Sequence, residues 1–452
     1  MSAAAKLTRG SIRGHLISQT LPAIIGVGAL MSVGLIDAYF IGQLGSAELA
    51  AIAFVFPVSV TIISLGVGTM VGINSVVARA LGAGDIQRAD RRANFGILMS
   101  LAFGIALCLI LLALIDPLFS LMRAEQELLP VITAYMRPFA YGLPVIMTIM
   151  GINGVMRGMG EAKKTSYISI TYALANVILD PLFITGGFGF EGFGIAGAAY
   201  ATIAGWSIGI ALGLYLLGKT TLPFRPRHVE GLDVKGSLRD IVRVAAPAAF
   251  SNAINPLGLS VLTTLLAAEG SAAVAGFGAA GRLQSFVLVP LLALSGSIGA
   301  IVGQNWGADQ PDRSRLAMLE AGLFAIAYGL VVAILLANFG GWFAQFFTED
   351  ADVAGHFGLY LSIAVWGYAG YGLLIVANGA MNAVDRADIS LAQSCGRVFL
   401  VMLPIAWLLQ ANWGAVAIYT AELAANALGG IIAGIMAWKI LKARTGDLAP
   451  TG

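Results

Sequence analysis

The sequence predicts an all-α integral membrane protein: twelve transmembrane helices in two six-helix bundles related by a pseudo-two-fold axis along the membrane normal. Three observations carry this. Hydrophobic residues make up 58% of the 452 and charged residues only 11%, with a mean hydropathy of +0.86. Apolar runs long enough for a hydrocarbon core of about 30 Å, roughly 20 residues each, recur along the whole chain. The basic residues fall on alternate sides of those runs.

Hydropathy read against charge places the spans near 15–41, 48–78, 93–115, 130–158, 165–187, 194–217, 240–268, 273–303, 316–340, 355–383, 390–410 and 413–441. With the N-terminus inside, the cytoplasmic segments collect Lys6, Arg9 and Arg13, Arg88, Arg91 and Arg92, Lys163 and Lys164, Arg225 and Arg227, Arg313 and Arg315, and Lys439 and Lys442. The outer segments hold only Arg123 and Arg137. This positive-inside bias fixes the orientation and supports an even number of spans, so both termini are expected in the cytoplasm. The basic start "MSAAAKLTRGSIRGHL" leads into a full span without a small-residue cleavage site and reads as a cytoplasmic end, not a signal peptide.

The longest inner loop, "GKTTLPFRPRHVEGLDVKGSLRD", lies near the middle of the chain, and a repeat appears on either side of it at an offset of 225 residues. Pro22 matches Pro247, "GSA" at 45–47 matches "GSA" at 270–272, Gly82-Ala83 matches Gly307-Ala308, Arg88 matches Arg313, and "NGVM" answers "NGAM". Later the register slips, and "GIAGAA" is set against "NWGAVA". The expected organisation is an N-terminal bundle over 1–218, an inter-lobe loop over 219–239 and a C-terminal bundle over 240–452. Parallel repeats about a central cavity are a transporter architecture. Gly205, Gly209 and Gly213 form a small-residue stripe suited to close helix packing.

Two carboxylates stand out inside apolar runs: Asp37 in "SVGLIDAYFIG" and Asp180 in "LANVILDPLFI". Each would cost about 2.5–3.5 kcal/mol at a helix centre, so such groups face a polar interior and mark an ion or proton path. Both lie in the outward halves of their spans and can share a depth. Asn176 precedes Asp180 by four residues, which puts amide and carboxylate on one helix face. Pro181 removes a backbone donor and frees a carbonyl oxygen. Asn153 and Thr202 add neutral oxygen donors, completing a cluster suited to a proton or a small hard cation such as sodium at Asp37, Asp180 and Asn176.

Over essentially its full length the chain resembles the multidrug and toxic compound extrusion (MATE) transporters. The residues that carry the likeness are "LPAIIGVGALMSVGLIDAYFIGQLGSAELAA", "ARALGAGDIQRADRR", "INGVMRGMGEAKKT" and "NVILDPLFI" followed by "GIAGAAYAT". The resemblance implies a cation site on Asp37, Asn153, Asn176, Asp180 and Thr202, and export of organic cations and other amphipathic compounds against inward proton or sodium movement. It also implies a bending role for Pro22 in span 1. Relatives of the NorM type carry a glutamate in span 7 and an aspartate in span 10. Here those spans read "APAAFSNAINPLG", with Asn255, and "GLLIVANGAMNAV", with Asn378. The pattern resembles the DinF-like branch, in which the ionisable site is confined to the first bundle.

Asn255, Arg282, Asn378, Tyr371 and Met31 are candidates to line a drug cavity, with Arg282 also read as a structural group pairing with carbonyls or an acid. Cys108 and Cys395 both sit in apolar runs and offer neither a disulfide framework nor a metal site. The three histidines lie at span ends or in a loop and assemble no catalytic set, so no enzyme activity, cofactor or nucleic-acid partner is expected, only the coupling ion H+ or Na+. The expectation is a monomeric, proton-favouring antiporter in a bacterial cytoplasmic membrane, in contact with lipid and small amphipathic or cationic substrates. A related flippase for lipid-linked saccharides is the alternative, and it would call for a basic cavity, for which Arg282 is the one clear mid-span candidate. A passive channel is disfavoured for lack of a ring of repeated ionisable residues.

Overall fold

The computed structural model describes residues 5–447 apart from 188, 230 and 232; the far ends of the two expected lobes, 1–4 and 448–452, lie outside the described residues. Six long helices come first: α1 (Ile12–Gly42), α2 (Ser46–Gly82), α3 (Ile86–Leu121), α4 (Leu129–Gly158), α5 (Ala162–Ile184) and α6 (Ile195–Gly218). A two-residue antiparallel hairpin, β1 (Gly186–Gly187) with β2 (Phe190–Glu191), joins α5 to α6. The second half comprises α7 (Val234–Leu266), α8 (Ser271–Val287), α9 (Val289–Gly307), α10 (Pro311–Ala344), α11 (Ala351–Ile363), α12 (Tyr368–Ala383), α13 (Ala387–Cys395), α14 (Leu403–Trp413) and α15 (Ala415–Asp447).

Eleven of the described helical stretches are long and apolar enough to cross a membrane, and the α8–α9 pair, bent by 42°, makes the twelfth. The bend falls at Leu288, just ahead of Pro290, which has no N–H to continue the ladder. The tenth span is α11 and α12 joined by a 3-10 turn, and the eleventh is α13 and α14 joined by a π-helical stretch, Gly396–Met402. The third span, expected over 93–115, runs farther at both ends. Asp85 caps α3 by accepting from Arg88 N at 2.9 Å, so the polar "IQRADRR" turns extend the helix beyond the apolar run.

The repeat is visible in the caps. Gly45 and Gly270, both at positive φ, precede α2 and α8, and α2 and α9 end at Gly82 and Gly307 with Ala83 and Ala308 as C-caps. Gly194 (φ 60, ψ −140) and Gly414 (φ 53, ψ −133) open α6 and α15 in the same unusual conformation. This corrects the register of the last span: Gly194 pairs with Gly414, an offset of 220, two residues from the match read off the sequence.

The chain divides into two compact units, whose boundaries differ from the loop at 219–239. The first comprises residues 1–6 and Leu21–Ala249, the second Leu7–Thr20 and Phe250–Gly452. One cut falls between Lys6 and Leu7, ahead of α1, and the other two fall inside α1 and α7, beside the repeat-related Pro22 and Pro247. In the first unit the N-terminal half of α7 lies directly on α2, because Gly68 and Gly72 have no side chain: a Cβ on Gly68 would stand 2.4 Å from the Ala245 carbonyl oxygen. In the second unit the stretch before α1 is held by buried amides: Gln304 Oε1 accepts from Leu7 N at 3.1 Å, and Asn305 Nδ2 donates to the Leu7 carbonyl at 3.1 Å. Leu7, Ile12 and Leu16 join that unit's apolar core. Within the first unit the α6 glycine stripe faces α5 and α4. Gly205 and Gly213 are tight there, with Tyr172 and Ile152 at 2.9 and 3.1 Å from an added Cβ, while Gly209 has ordinary room.

Candidate functional site

Asp37 sits five residues before the end of α1 and Asp180 one turn before the end of α5. The carboxyl groups of the two lie within hydrogen-bonding reach of each other. Asp180 and Asn176 are completely buried. Neither oxygen of Asp180, neither amide atom of Asn176, nor Oδ1 of Asp37 has a hydrogen-bond partner that can satisfy it as a carboxylate or amide among the described residues. Two ionised carboxylates can only accept, so contact between them calls for a proton or a cation between the oxygens.

The surroundings fit that role. Pro181 has no N–H, so the carbonyl of Val177 loses its usual donor within the same turn as Asn176 and Asp180. Tyr172 and Tyr135 stand close to both acids, and the Tyr172 hydroxyl meets Thr202 of α6. Asn153 is buried on α4 with an unpartnered Oδ1, although no recorded contact ties it to the pair. Pro22 is connected differently. Ser166 of α5 donates to the Pro22 carbonyl at 2.6 Å, and Gly26, one turn on, lets α1 approach Ser166 to within 3.1 Å of an added Cβ. The candidate hinge of α1 is therefore fastened to the helix that carries Asp180. No group of three or more metal-ligating His, Cys, Asp or Glu side chains occurs among the described residues.

The second unit holds two buried charged groups that the sequence analysis did not single out. Glu422 of α15 and Arg397 of the π-helical stretch are 2% and 4% exposed. Glu422 Oε1 accepts from Gln284 Nε2 at 3.0 Å, and both its oxygens accept from the Tyr360 hydroxyl at 3.2 Å. Arg397 donates to Asn426 Oδ1 at 2.7 Å and to Asn255 Oδ1, with its guanidinium 5.0 Å from the Tyr371 ring centre. Two of the residues selected as cavity candidates, Asn255 and Tyr371, thus converge on an arginine that hydropathy alone passed over. Asn378 lies apart from it and donates to Ser394 Oγ at 3.3 Å. Met31 is half-buried on α1. Arg282 is exposed on α8 and meets no carbonyl or acid among the described residues, against the expectation that it pairs with one. Cys108 and Cys395 are both free thiols.

A solvent-open pocket of about 650 Å³ in the first unit is lined by Arg88, Arg91, Arg92, Arg239 and Arg243 together with Asp85, Asp233 and Asp240 at the starts of α3 and α7, and includes neither Asp37 nor Asp180.

The MatE family model matches the chain twice, over residues 22–182 and 247–408. The chain belongs to the MATE family. The two matches begin 225 residues apart, which is the offset of the internal repeat. MATE proteins are transporters and not enzymes. A curated relative from Shewanella oneidensis named "FAD transporter" is 33% identical over 438 residues, covering 96% of each chain. The "Probable multidrug resistance protein YpnP" of Bacillus subtilis is 24% identical over 378 residues, 83% of each. Among solved structures, a Vibrio cholerae MATE transporter, VcmN, superposes with a TM-score of 0.91 at 27% identity, over 98% of this chain and 99% of that one.

Proposed function

We propose that this MATE protein is an ion-coupled antiporter that exports amphipathic solutes by alternating access, with Asp37 and Asp180 as its coupling pair and the proton favoured over sodium. The observation that carries the reading is the approach of half-buried Asp37 to fully buried Asp180, with no donor supplied to Asp180. In the outward-open state a proton entering between the carboxyls removes one negative charge and closes a carboxyl–carboxylate hydrogen bond. The site then attracts bound cargo less, cargo leaves to the outside, and the protonated state returns inward. Sodium would use the same oxygens together with the Asn176 amide. The reading places the protein in a bacterial cytoplasmic membrane with both termini inside, and within the family it favours the DinF-like branch through the first unit's acids.

Two cargo classes follow from different supports. Organic cations suit a site that exchanges cargo against a cation on carboxylates. A flavin dinucleotide is the second reading, favoured by 33% identity across nearly the whole chain to the Shewanella protein named for FAD and by a buried arginine in the second unit. The test is uptake into proteoliposomes of a fluorescent organic cation and of FAD under an imposed pH gradient or an imposed sodium gradient, with Asp180→Asn and Asp37→Asn beside the unaltered protein. Drive by the pH gradient, lost in both variants at equal incorporation, is the expected result. Full drive in Asp180→Asn would refute the coupling assignment, and drive by sodium alone would replace the ion.

A further inference from the structure

The repeat shows what the buried charges of the second unit replace. Helices α5 and α13 start at Ala162 and Ala387, each after a residue at positive φ, Gly160 and Asp385, so the offset there is 225 and Arg397 stands where Tyr172 stands in the first copy. Through the Gly194–Gly414 register, Glu422 takes the place of Thr202 and Asn426 that of Trp206. Contacts agree with this alignment. Tyr172 stacks on Trp206 with centroids 3.8 Å apart and planes 9° from parallel, and in the second copy Arg397 bonds Asn426 at 2.7 Å. The first copy therefore packs this junction with two neutral rings. The second copy puts a guanidinium, an amide and a carboxylate in the same place, with a desolvation penalty for each ion. Packing does not require them.

The carboxylate does not neutralise the guanidinium by direct contact. Glu422 is held by Gln284 and Tyr360, and Arg397 reaches only two amide oxygens and a ring face. Its Nε is buried without a partner. The groups that cover it, Asn255 and Tyr371, are only half-buried, so the guanidinium lies one side chain beneath an accessible surface. The π-helical stretch that presents it begins one residue earlier, and such turns recur at functional sites. Gly429 clears the path of its stem, since a Cβ there would come within 3.0 Å of Arg397 Cγ and Cδ. A guanidinium with unused N–H groups in a fixed fork matches a phosphate oxygen pair.

We propose that Arg397 is an anion-recognition residue of the second unit, which binds a phosphate group of the exported solute once Asn255 and Tyr371 move aside. This rests on the exporter reading. It is tested by comparing FAD with riboflavin, which has the same ring system and no phosphate, as ligands of the purified protein, alongside proton-driven uptake of both and of a fluorescent organic cation. In the unaltered protein FAD binds at least tenfold more tightly than riboflavin. Arg397→Gln brings that ratio close to one and leaves organic-cation uptake within about twofold, and Arg397→Lys, which keeps the charge and loses the fork, falls between. Asn255→Ala, a milder change that uncovers the guanidinium, retains or raises the FAD preference. Equal affinity for the two flavins in the unaltered protein, an undiminished ratio in Arg397→Gln, or an equal loss of all cargoes in both Arg397 variants would each overturn the assignment. Failure of the exporter reading is seen separately, as uptake that persists in Asp180→Asn.

Discussion

Gly197 in the first turn of α6 holds the end of α5 in place, and alanine there is expected to disturb the Asp37–Asp180 pair without touching it. A Cβ on Gly197 would lie 2.0 Å from the Phe183 carbonyl oxygen and 2.3 Å from its carbon. That oxygen already accepts from Phe193 N at 2.7 Å, so it has no free direction in which to turn. Contacts of this kind are not tolerated below about 3 Å, and the last turn of α5 has to withdraw by roughly 1 Å, at an overpacking cost of about 1–3 kcal/mol. Phe183 lies three residues beyond Asp180 on the same helix. A shift of about 1 Å exceeds the width of the distance window for an O–H···O bond, so the Asp37–Asp180 contact is lost.

Gly209, farther along α6, is the control. Its added Cβ would meet Ile168 and Trp206 at 3.5 and 3.6 Å, and replacing a mid-helix glycine gains about 0.8–1 kcal/mol of helix propensity. The two alanine variants should therefore differ by about 2–4 kcal/mol in opposite directions. Thermal unfolding in detergent, followed by tryptophan fluorescence, reads the stability, and pH-driven uptake reads the coupling. Gly197→Ala should melt lower and export at least tenfold more slowly, while Gly209→Ala should melt at or above the unaltered protein and export normally. Equal melting and equal export for both would show that α6 does not position the carboxyl pair, and the argument would fail.

Glu422→Ala strands the Gln284 and Tyr360 donors and leaves Arg397 without a nearby counter-charge, which should cost about 3–5 kcal/mol; in thermal unfolding Glu422→Gln, which keeps an acceptor oxygen, should cost less. Asn305 is fully buried, donates to the carbonyls of Leu7 and Ile301 and accepts from Arg313 Nε at 2.9 Å, so Asn305→Ala should expose the chain around residues 7–10 to limited proteolysis. Ser166→Ala removes the bond to the Pro22 carbonyl and should cost about 1 kcal/mol, read as faster hydrogen exchange in α1 around Pro22 with α3 unchanged.

The spans were legible because they rest on one strong term, the cost of a bare backbone or charge in hydrocarbon, and the repeat because its glycines and prolines recur at a fixed offset. Asp37 and Asp180 stood out for the same reason, since their neighbours are apolar on both sides along the sequence. Glu422 obeys the same physics and was passed over, because "AIYTAELAANALGG" surrounds it with small residues and the polar groups that hold it, Gln284 and Tyr360, come from helices more than sixty residues away. Arg397 was hidden in turn by Gly396 and by the extra residue of a π-helical turn, which no hydropathy window resolves. A sequence signal did exist. The second family match spans one residue more than the first, and had the repeat been registered on Gly194 and Gly414, Thr202 would have fallen on Glu422. Comparison between the copies, position by position, finds a charged residue where the sister copy carries a neutral one, and that difference marks a group that the shared fold does not require.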